Sequence, residues 1–117
     1  MRNELNVDGM SLAPGVVETI VSITATEVEG VASVGFAGAA NRNLRSAFGQ
    51  KPSTAGIETT VDDDGRLFVS IHIEVFYGQV LPEVAARLRQ AIADALLVQV
   101  GVEVSAIDIY VDGILFS

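Results

Sequence analysis

The fold of this chain follows most directly from residues 56–77, which read GIETTVDDDGRLFVSIHIEVFY. Apolar and polar residues alternate on both sides of the turn from Asp62 to Gly65, and a period of two is typical of strands with one buried face. Asp-Gly is a preferred hairpin turn because glycine adopts positive φ without strain. The stretch therefore predicts an antiparallel strand pair.

A helix is predicted on each side of this hairpin in the sequence. The first spans residues 14–29, with Pro14 at its first position and Gly30 as its left-handed stop. The second begins at Pro82 and ends before Gly101. In the first helix, a polar stripe of Glu18, Ser22 and Glu29 opposes the apolar residues Val17, Ile20, Val21, Thr24 and Val28. The buried stripe of the second helix is predicted to comprise Val84, Leu88, Ala91, Ile92 and Ala95.

Two further strands are predicted, over residues 31–36 and 104–111, and an apolar tail follows at 113–116. The order of elements is α-β-β-β-α-β. The second helix separates the hairpin from the last strand, so this crossover predicts that the two strands it joins are parallel. A single mixed sheet with both main helices on one face satisfies these constraints. The sequence thus predicts one α+β domain over residues 13–117, preceded by a short lead-in at 1–12.

The sheet face that the helices leave uncovered is predicted to be aromatic. Residues i and i+2 of a strand share a face, so the even-numbered residues from Phe68 to Phe76 lie together, and Tyr110 joins them from the last strand. Such a face is a poor solvent surface and is typical of contact sites. The candidate partner-binding residues are Phe68, His72, Phe76, Tyr110 and, in the apolar tail, Phe116.

Residues 37–55 differ in character from the rest of the chain, and we predict a mobile insertion there. Three cations occur with no acidic residue among them, and two apolar residues are spaced i, i+4, which suits a short amphipathic helix. Two interpretations stay open: a partner-docking arm and a passive surface loop. The candidate docking residues are Arg42, Leu44, Arg45, Phe48 and Lys51.

The composition excludes several classes of site. The 117 residues include no Cys and one His, so disulfides, thiolate metal sites and multi-histidine metal sites are excluded. Fifteen acidic and seven basic residues give a net charge of −8, which has the wrong sign for binding nucleic acid or an anionic membrane surface. The sequence contains no stretch of about 18 apolar residues and no signal-peptide pattern, so a cytoplasmic location is expected.

No motif of the sequence predicts catalysis. The acidic turn does not fit a calcium loop, because Gly65 at loop position 6 would place Thr60 and Ile71 at the ligand positions 1 and 12. No glycine-rich phosphate loop is present. His72 and Glu74 share a strand face about 7 Å apart, but no nucleophile is identifiable beside them. We expect no catalytic residue, no cofactor and no metal site.

A set of short motifs runs along the chain in a fixed order. These are Ala13-Pro14, Val16-Val17-Glu18 and Ile20; Glu27-Val28-Glu29-Gly30-Val31; Gly56-Ile57-Glu58; Tyr77-Gly78; Pro82-Glu83-Val84-Ala85; Val102 and Val104; and Val111-Asp112-Gly113-Ile114 with Phe116. Their ordered combination resembles the alkaline shock protein family, the envelope stress response proteins of bacteria, over residues 12–116.

The resemblance implies a small cytoplasmic protein that is not an enzyme and that acts in cell-envelope homeostasis through protein–protein contacts. In some members a small membrane-anchored partner holds the protein at the inner membrane face. The resemblance carries over no catalytic residue. We expect a protein partner or a second copy of the chain, no nucleic acid and no direct membrane insertion. A small-molecule-binding regulatory domain is the alternative interpretation.

Overall fold

A computed structural model describes residues 5–7, 9–13, 15–35 and 55–116 of the chain. Its elements are, in order, β1 (Leu5–Val7), β2 (Met10–Leu12), α1 (Val16–Thr26), β3 (Val31–Val34), β4 (Ile57–Val61), β5 (Leu67–Phe76), α2 (Leu81–Gln99) and β6 (Val104–Leu115). The predicted α+β class is confirmed, and so is the predicted order from the first helix onward. Residues 37–54 of the predicted insertion lie outside the described residues.

Strand β5 is the centre of a four-stranded mixed sheet. One edge of β5 pairs in parallel with β6 along its whole length. Two strands pair with successive parts of the other edge of β5. Strand β4 pairs antiparallel with residues 67–71, and β3 pairs antiparallel with residues 73–75. The predicted hairpin and the predicted parallel crossover through α2 are therefore confirmed.

The hydrophobic core lies between one face of this sheet and both helices. Alternate residues of β5 point into it, because a strand presents successive side chains to opposite faces. Each helix contributes one stripe of residues spaced by about one turn. The core includes Leu67, Val69, Ile71, Ile73 and Val75 of β5, Val17, Val21 and Ala25 of α1, and Val84, Leu88, Ile92 and Leu96 of α2. Both helices thus lie on one face, as predicted.

Helix α1 is shorter than predicted at both ends. It begins at Val16 and ends at Thr26, so the predictions that Pro14 is its first residue and that it extends to residue 29 are wrong. Gly30 does not stop the helix directly but, with φ of +99°, turns the chain into β3. The prediction that Ser22 is on the polar stripe is also wrong. Ser22 is 1% exposed, so it lies among the buried residues of this helix.

Helix α1 stays helical although β-branched residues dominate it. Such residues lose rotamer freedom in a helix, so tertiary contacts must stabilise this one. Burial of Val17 and Val21 supplies part of that stabilisation. Thr59 of β4 supplies another contact, because its hydroxyl donates to Glu18 Oε2 at 2.6 Å and ties the helix to the sheet.

Helix α2 ends as predicted, and Val84, Leu88 and Ile92 of its predicted buried stripe are confirmed. Gly101, with φ of +83°, donates from its backbone N–H to the carbonyl oxygens of Leu96 and Leu97, which satisfies the last turn. Leu96 is fully buried and was absent from the predicted stripe, whereas Ala91 and Ala95 are only half-buried. Pro82 is the second helical residue rather than the first.

The ends of the chain contain more strand than predicted. Strand β6 continues to Leu115, so the predicted apolar tail at 113–116 is wrong for residues 113–115. These residues stay extended because the end of β5 offers them backbone partners. The lead-in predicted at 1–12 contains the antiparallel hairpin of β1 and β2. Strand β3 ends at Val34, two residues earlier than predicted.

Candidate functional site

The sheet face opposite the helices is the candidate site, and we call it the open face. Every even-numbered residue from Phe68 to Phe76 is half-buried, whereas its odd-numbered neighbours are almost fully buried in the core. In the described part of the chain, the helices pack only on the odd-numbered side. The open face comprises Ser33 of β3, Glu58 and Thr60 of β4, Phe68, Ser70, His72, Glu74 and Phe76 of β5, and Asp108, Tyr110 and Asp112 of β6.

Four of the predicted contact residues lie together on this face. Phe68, His72 and Phe76 follow one another along β5, and Tyr110 lies beside His72 on β6. Phe116 lies apart, just beyond the end of β6, where its ring is 5.0 Å from the Tyr77 ring between centroids. The other candidates lie outside the described residues; they are Arg42, Leu44, Arg45, Phe48 and Lys51.

His72 is the centre of the open face and is held from two directions. Its Nδ1 lies 2.9 Å from Asp112 Oδ2, and its imidazole stacks on the Tyr110 ring with centroids 4.6 Å apart and an interplanar angle of 15°. The side chains of His72 and Asp112 are 24% and 41% exposed. A pair this accessible to solvent contributes about 0–1 kcal/mol, so the contact chiefly orients the ring.

Two β-bulges in β6 create contacts with β5. The register between the strands skips Ser105 and Asp112, which are the extra residues of the bulges. A bulge re-aims its extra residue, and here both side chains reach the neighbouring strand. Ser105 Oγ donates to the carbonyl oxygen of Leu67 at 3.0 Å, and the Asp112 carboxylate meets the His72 ring.

The second bulge also keeps two carboxylates apart. A regular continuation of the register from Val111 would place Asp112 opposite Glu74, and like charges in that position destabilise a strand pair. The bulge places Gly113 there instead. A Cβ atom at Gly113 would lie 3.1 Å from Glu74 Oε2, so glycine leaves room for this side chain. Glu74 Oε1 accepts a hydrogen bond of 2.6 Å from Ser33 Oγ, which fixes it on the open face.

The open face is acidic as well as aromatic. Its carboxylates are Glu58, Glu74, Asp108 and Asp112, and no described lysine or arginine lies on it. The described arginines lie elsewhere: Arg66 bonds to Asp64 in the hairpin turn, and Arg87 and Arg89 lie on α2. The open face therefore combines negative charge with exposed aromatic surface.

Alternation along the last strand puts Asp112 on the same face as Tyr110, but it predicts neither the contact of Asp112 with His72 nor the role of Gly113. Asp112 is forty positions from His72, and only the parallel register of β5 and β6 brings them together. Aligning the sequences of β5 and β6 in parallel could have predicted that His72 and Tyr110 are neighbours. The bulge that turns Asp112 is not encoded in the alternation of apolar and polar residues.

The described residues contain no group of three or more His, Asp or Glu residues that could hold a metal ion. Within the same residues, neither helix has the length and apolarity needed to cross a membrane.

Comparison with known proteins gives one family and two relatives. The sequence pattern of the alkaline shock protein 23 family, which has a cell envelope-related function, matches residues 3–116. The protein YqhY of Bacillus subtilis is 31% identical over 108 residues, which cover 92% of this chain and 78% of the relative. The protein Spy1535 of Streptococcus pyogenes serotype M6 is 28% identical over 103 residues, covering 88% and 76%. Both relatives are described as uncharacterized.

Proposed function

This chain belongs to the alkaline shock protein family, which has a cell envelope-related function, and we propose that it serves the envelope by binding other proteins, without catalysis. The open face is the proposed contact surface. In its finer form, the proposal is that the protein acts in envelope stress response and homeostasis, where it holds or recruits a partner.

The observation that carries this proposal is the uncovered aromatic sheet face. Antiparallel sheets with one solvated face are ordinarily polar on that side. Here Phe68, Phe76 and Tyr110 lie there instead, on a face that no described helix covers. Burial of apolar surface is worth about 25 cal/mol per Å², so a partner that covers the exposed part of these rings gains affinity.

We further propose that the protein is cytoplasmic and reaches the inner membrane face only through an anchored partner. The support is electrostatic. A net charge of −8 disfavours direct attraction to anionic lipid headgroups, because the long-range field has the same sign as the membrane surface. Enrichment at the membrane then requires a protein that contacts the open face or another surface of this chain.

The test compares a blocked open face with a matched control. Thr60→Arg with Ser70→Arg adds two bulky cations to the open face, whereas Val98→Arg with Gln99→Arg adds the same charge to the exposed end of α2. Both variants and the parent chain serve as bait in pull-downs from envelope and cytosol fractions. We expect the open-face variant to lose partners that the parent and the control retain. Equal recovery by all three baits contradicts the proposal.

Two alternative outcomes of this experiment have their own readouts. A second copy of the chain as the partner appears in light scattering as an oligomer that the open-face variant does not form. A small-molecule-binding domain gives no partner in either fraction but gains stability from a metabolite. A ligand at 100 times its dissociation constant adds about 2.7 kcal/mol, which thermal melting against a metabolite panel detects.

A further inference from the structure

We propose that the outer edge of β6, from Asp108 to Leu115, is a strand-addition site for an extended segment of a partner protein, in which two lysine or arginine residues flank three apolar residues. The inference deepens the proposed function, since it rests on the chain acting through a protein partner. It names a second element of the contact and the sequence pattern that the partner segment must have.

The outer edge of β6 has no strand partner among the described residues. The strand is 12 residues long and pairs with β5 on one side only, as far as the described residues extend. Backbone groups along a strand point alternately to its two edges, so part of the N–H and C=O groups of β6 point away from β5. An exposed edge of this kind is a template for pairing with another chain.

Among the described side chains, one covers the outer edge of β6 at its start and none covers it farther along. Arg89 of α2 donates from Nε to the carbonyl oxygen of Ile107 at 3.3 Å, which covers the edge there. No described side chain is seen to bond the backbone of β6 in the same way between Asp108 and Leu115. Covering an edge with a charged side chain is a recognised defence against strand pairing, and here it protects only the first part of β6.

Apolar side chains are exposed along β6 between Asp108 and Leu115. Tyr110 is 48% exposed, Val111 42% and Ile114 51%. Tyr110 lies on the open face. Val111 points to the helix side, because it pairs with Ile73, whose side chain lies in the core. An added strand would cover apolar surface on both sides of the sheet, as well as pairing with the backbone.

Charge decides which kind of strand fits. Asp108 lies beside Tyr110 on the open face, and the Asp112 carboxylate, which the bulge turns to His72, lies on the other side of Tyr110 and is 41% exposed. Antiparallel pairing with a second copy that sets Tyr110 against Tyr110 would place Asp108 of each chain opposite Asp112 of the other, and like charges directly opposite are destabilising. A segment with cations in those positions forms favourable cross-strand pairs instead.

The geometry fixes the spacing in the partner segment. Residues opposite Asp108, Tyr110 and Asp112 alternate with residues on the helix side of the added strand. The partner therefore needs lysine or arginine at positions 1 and 5 and apolar or β-branched residues at positions 2 to 4. Because this five-residue pattern is symmetric, it fits the edge in parallel or antiparallel orientation.

The probe is the labelled synthetic peptide SKVYVKS, titrated with the purified chain in fluorescence anisotropy. The matched control is SEVYVES, with the same apolar core and reversed charge. We expect the lysine peptide to bind at least tenfold more tightly. In nuclear magnetic resonance spectra, the amide signals that it shifts should fall within residues 108–115. Equal binding of both peptides, or no binding at millimolar peptide, overturns the proposal.

An N-methylated version of the lysine peptide distinguishes strand addition from simple charge attraction. It is methylated on both valines, on tyrosine and on the second lysine, so it loses amide donors on both edges while keeping every side chain and charge. Because the symmetric peptide can present either edge to β6, only a version altered on both edges tests the pairing. We expect it to lose binding at least tenfold, and affinity equal to that of the unmethylated peptide rules out strand addition.

The chain itself offers the reciprocal test. Asp108→Lys with Asp112→Lys should reverse the preference, so that the glutamate peptide binds more tightly. Asp108→Lys alone leaves the contact of Asp112 with His72 intact and should weaken the lysine peptide by at least threefold, so the test survives if the double variant misfolds. The control variant Glu27→Lys with Asp63→Lys changes two exposed carboxylates away from β6 and should bind like the parent.

The two proposals fail in different ways. If the peptides do not bind β6 but Thr60→Arg with Ser70→Arg still removes the pulled-down partner, the open-face contact stands and strand addition is wrong. If the peptides bind as expected and the open-face variant keeps every partner, the edge of β6 is a contact site and the open face is not.

Discussion

Gly30 is constrained in two ways, by its backbone conformation and by the side chains packed against it. Its φ is +99°, a region that residues with a Cβ rarely adopt. A Cβ atom there would also lie 2.9 Å from Val84 Cγ2 and 2.9 Å from Gln79 Oε1. Val84 is 1% exposed, so it has little room to retreat. Glycine at this position therefore allows the start of β3 to approach the first turn of α2.

Replacing Gly30 by alanine should destabilise the protein more than the same change at Gly78. Gly78 has a similar φ of +94°, but a Cβ atom there would meet nothing within 4 Å. We expect Gly78→Ala to cost about 1 kcal/mol from backbone strain. Gly30→Ala should cost about 3 kcal/mol, since overpacking adds about 1–3 kcal/mol. Denaturant unfolding of both variants measures the difference, and equal losses would mean that the core accommodates the methyl group.

His72 offers a residue-scale test of the proposal that the chain is not an enzyme. Phenylalanine at this position keeps an aromatic ring against Tyr110 but removes the nitrogen that meets Asp112. We expect His72→Phe to change the free energy of unfolding by at most about 1 kcal/mol, since the contact with Asp112 is partly solvated. It should retain the partners of the parent chain in pull-downs. A folded variant without cellular function but with full partner binding would point to imidazole chemistry.

At the scale of elements, helix α2 is divided sharply into a buried and an exposed side. Leu96 is fully buried and Leu97, the next residue, is 52% exposed. The change occurs because successive residues of a helix are rotated by about 100°, so neighbours in sequence point in different directions. Leu96 also accepts hydrogen bonds through its carbonyl oxygen from the turn at Gly101, so it belongs to both the core and the helix end.

Alanine substitution at these two neighbours should give very different losses of stability. Leu96→Ala removes a fully buried side chain and should cost about 2–5 kcal/mol through lost burial and the cavity it leaves. Leu97→Ala changes an exposed position and should stay within about 0.5 kcal/mol of the parent. Both residues have the same intrinsic helix propensity, so the comparison isolates packing. Similar losses at the two sites would contradict the assignment of the buried stripe.

At the scale of the whole molecule, the excess of acidic residues controls which surfaces the protein can approach. The chain has fifteen acidic and seven basic residues, and four of its carboxylates lie on the open face. A field of this sign slows encounter with anionic surfaces and favours encounter with cationic partners. The long-range charge and the local chemistry of the open face and of β6 therefore favour the same kind of partner in the two proposals made above.

The purified chain should not bind vesicles of anionic phospholipid. Its net charge of −8 opposes adsorption, and repulsion between like charges weakens as salt screens it. Co-sedimentation with phosphatidylglycerol vesicles should leave the protein in the supernatant at low and at moderate salt. Neutral phosphatidylcholine vesicles serve as the control. Direct binding that falls as salt rises would show an attraction to the lipid surface and would overturn the proposed need for a protein partner at the membrane.

The sequence by itself determined the helices, the hairpin and the face on which the aromatic residues lie. Apolar residues recur with a period of two in β5 and of about one helical turn in α2. The type of element and its buried face can therefore be predicted from residues close together in the sequence. Gly65 and Gly101 marked a turn and a helix end for the same local reason, because glycine tolerates positive φ. The parallel pairing of β5 with β6 was predictable because a helix connects them.

Only the tertiary structure decided which residues meet across that pairing and which surfaces are left free. Asp112 reaches His72 because a bulge shifts the register by one residue, and a bulge depends on how two distant strands fit together. Ser22 and Leu96 are buried by tertiary packing, which periodicity leaves open for residues at the border of a stripe. Among the described residues, β6 pairs with β5 alone, so its free outer edge likewise follows from its place at the end of the sheet.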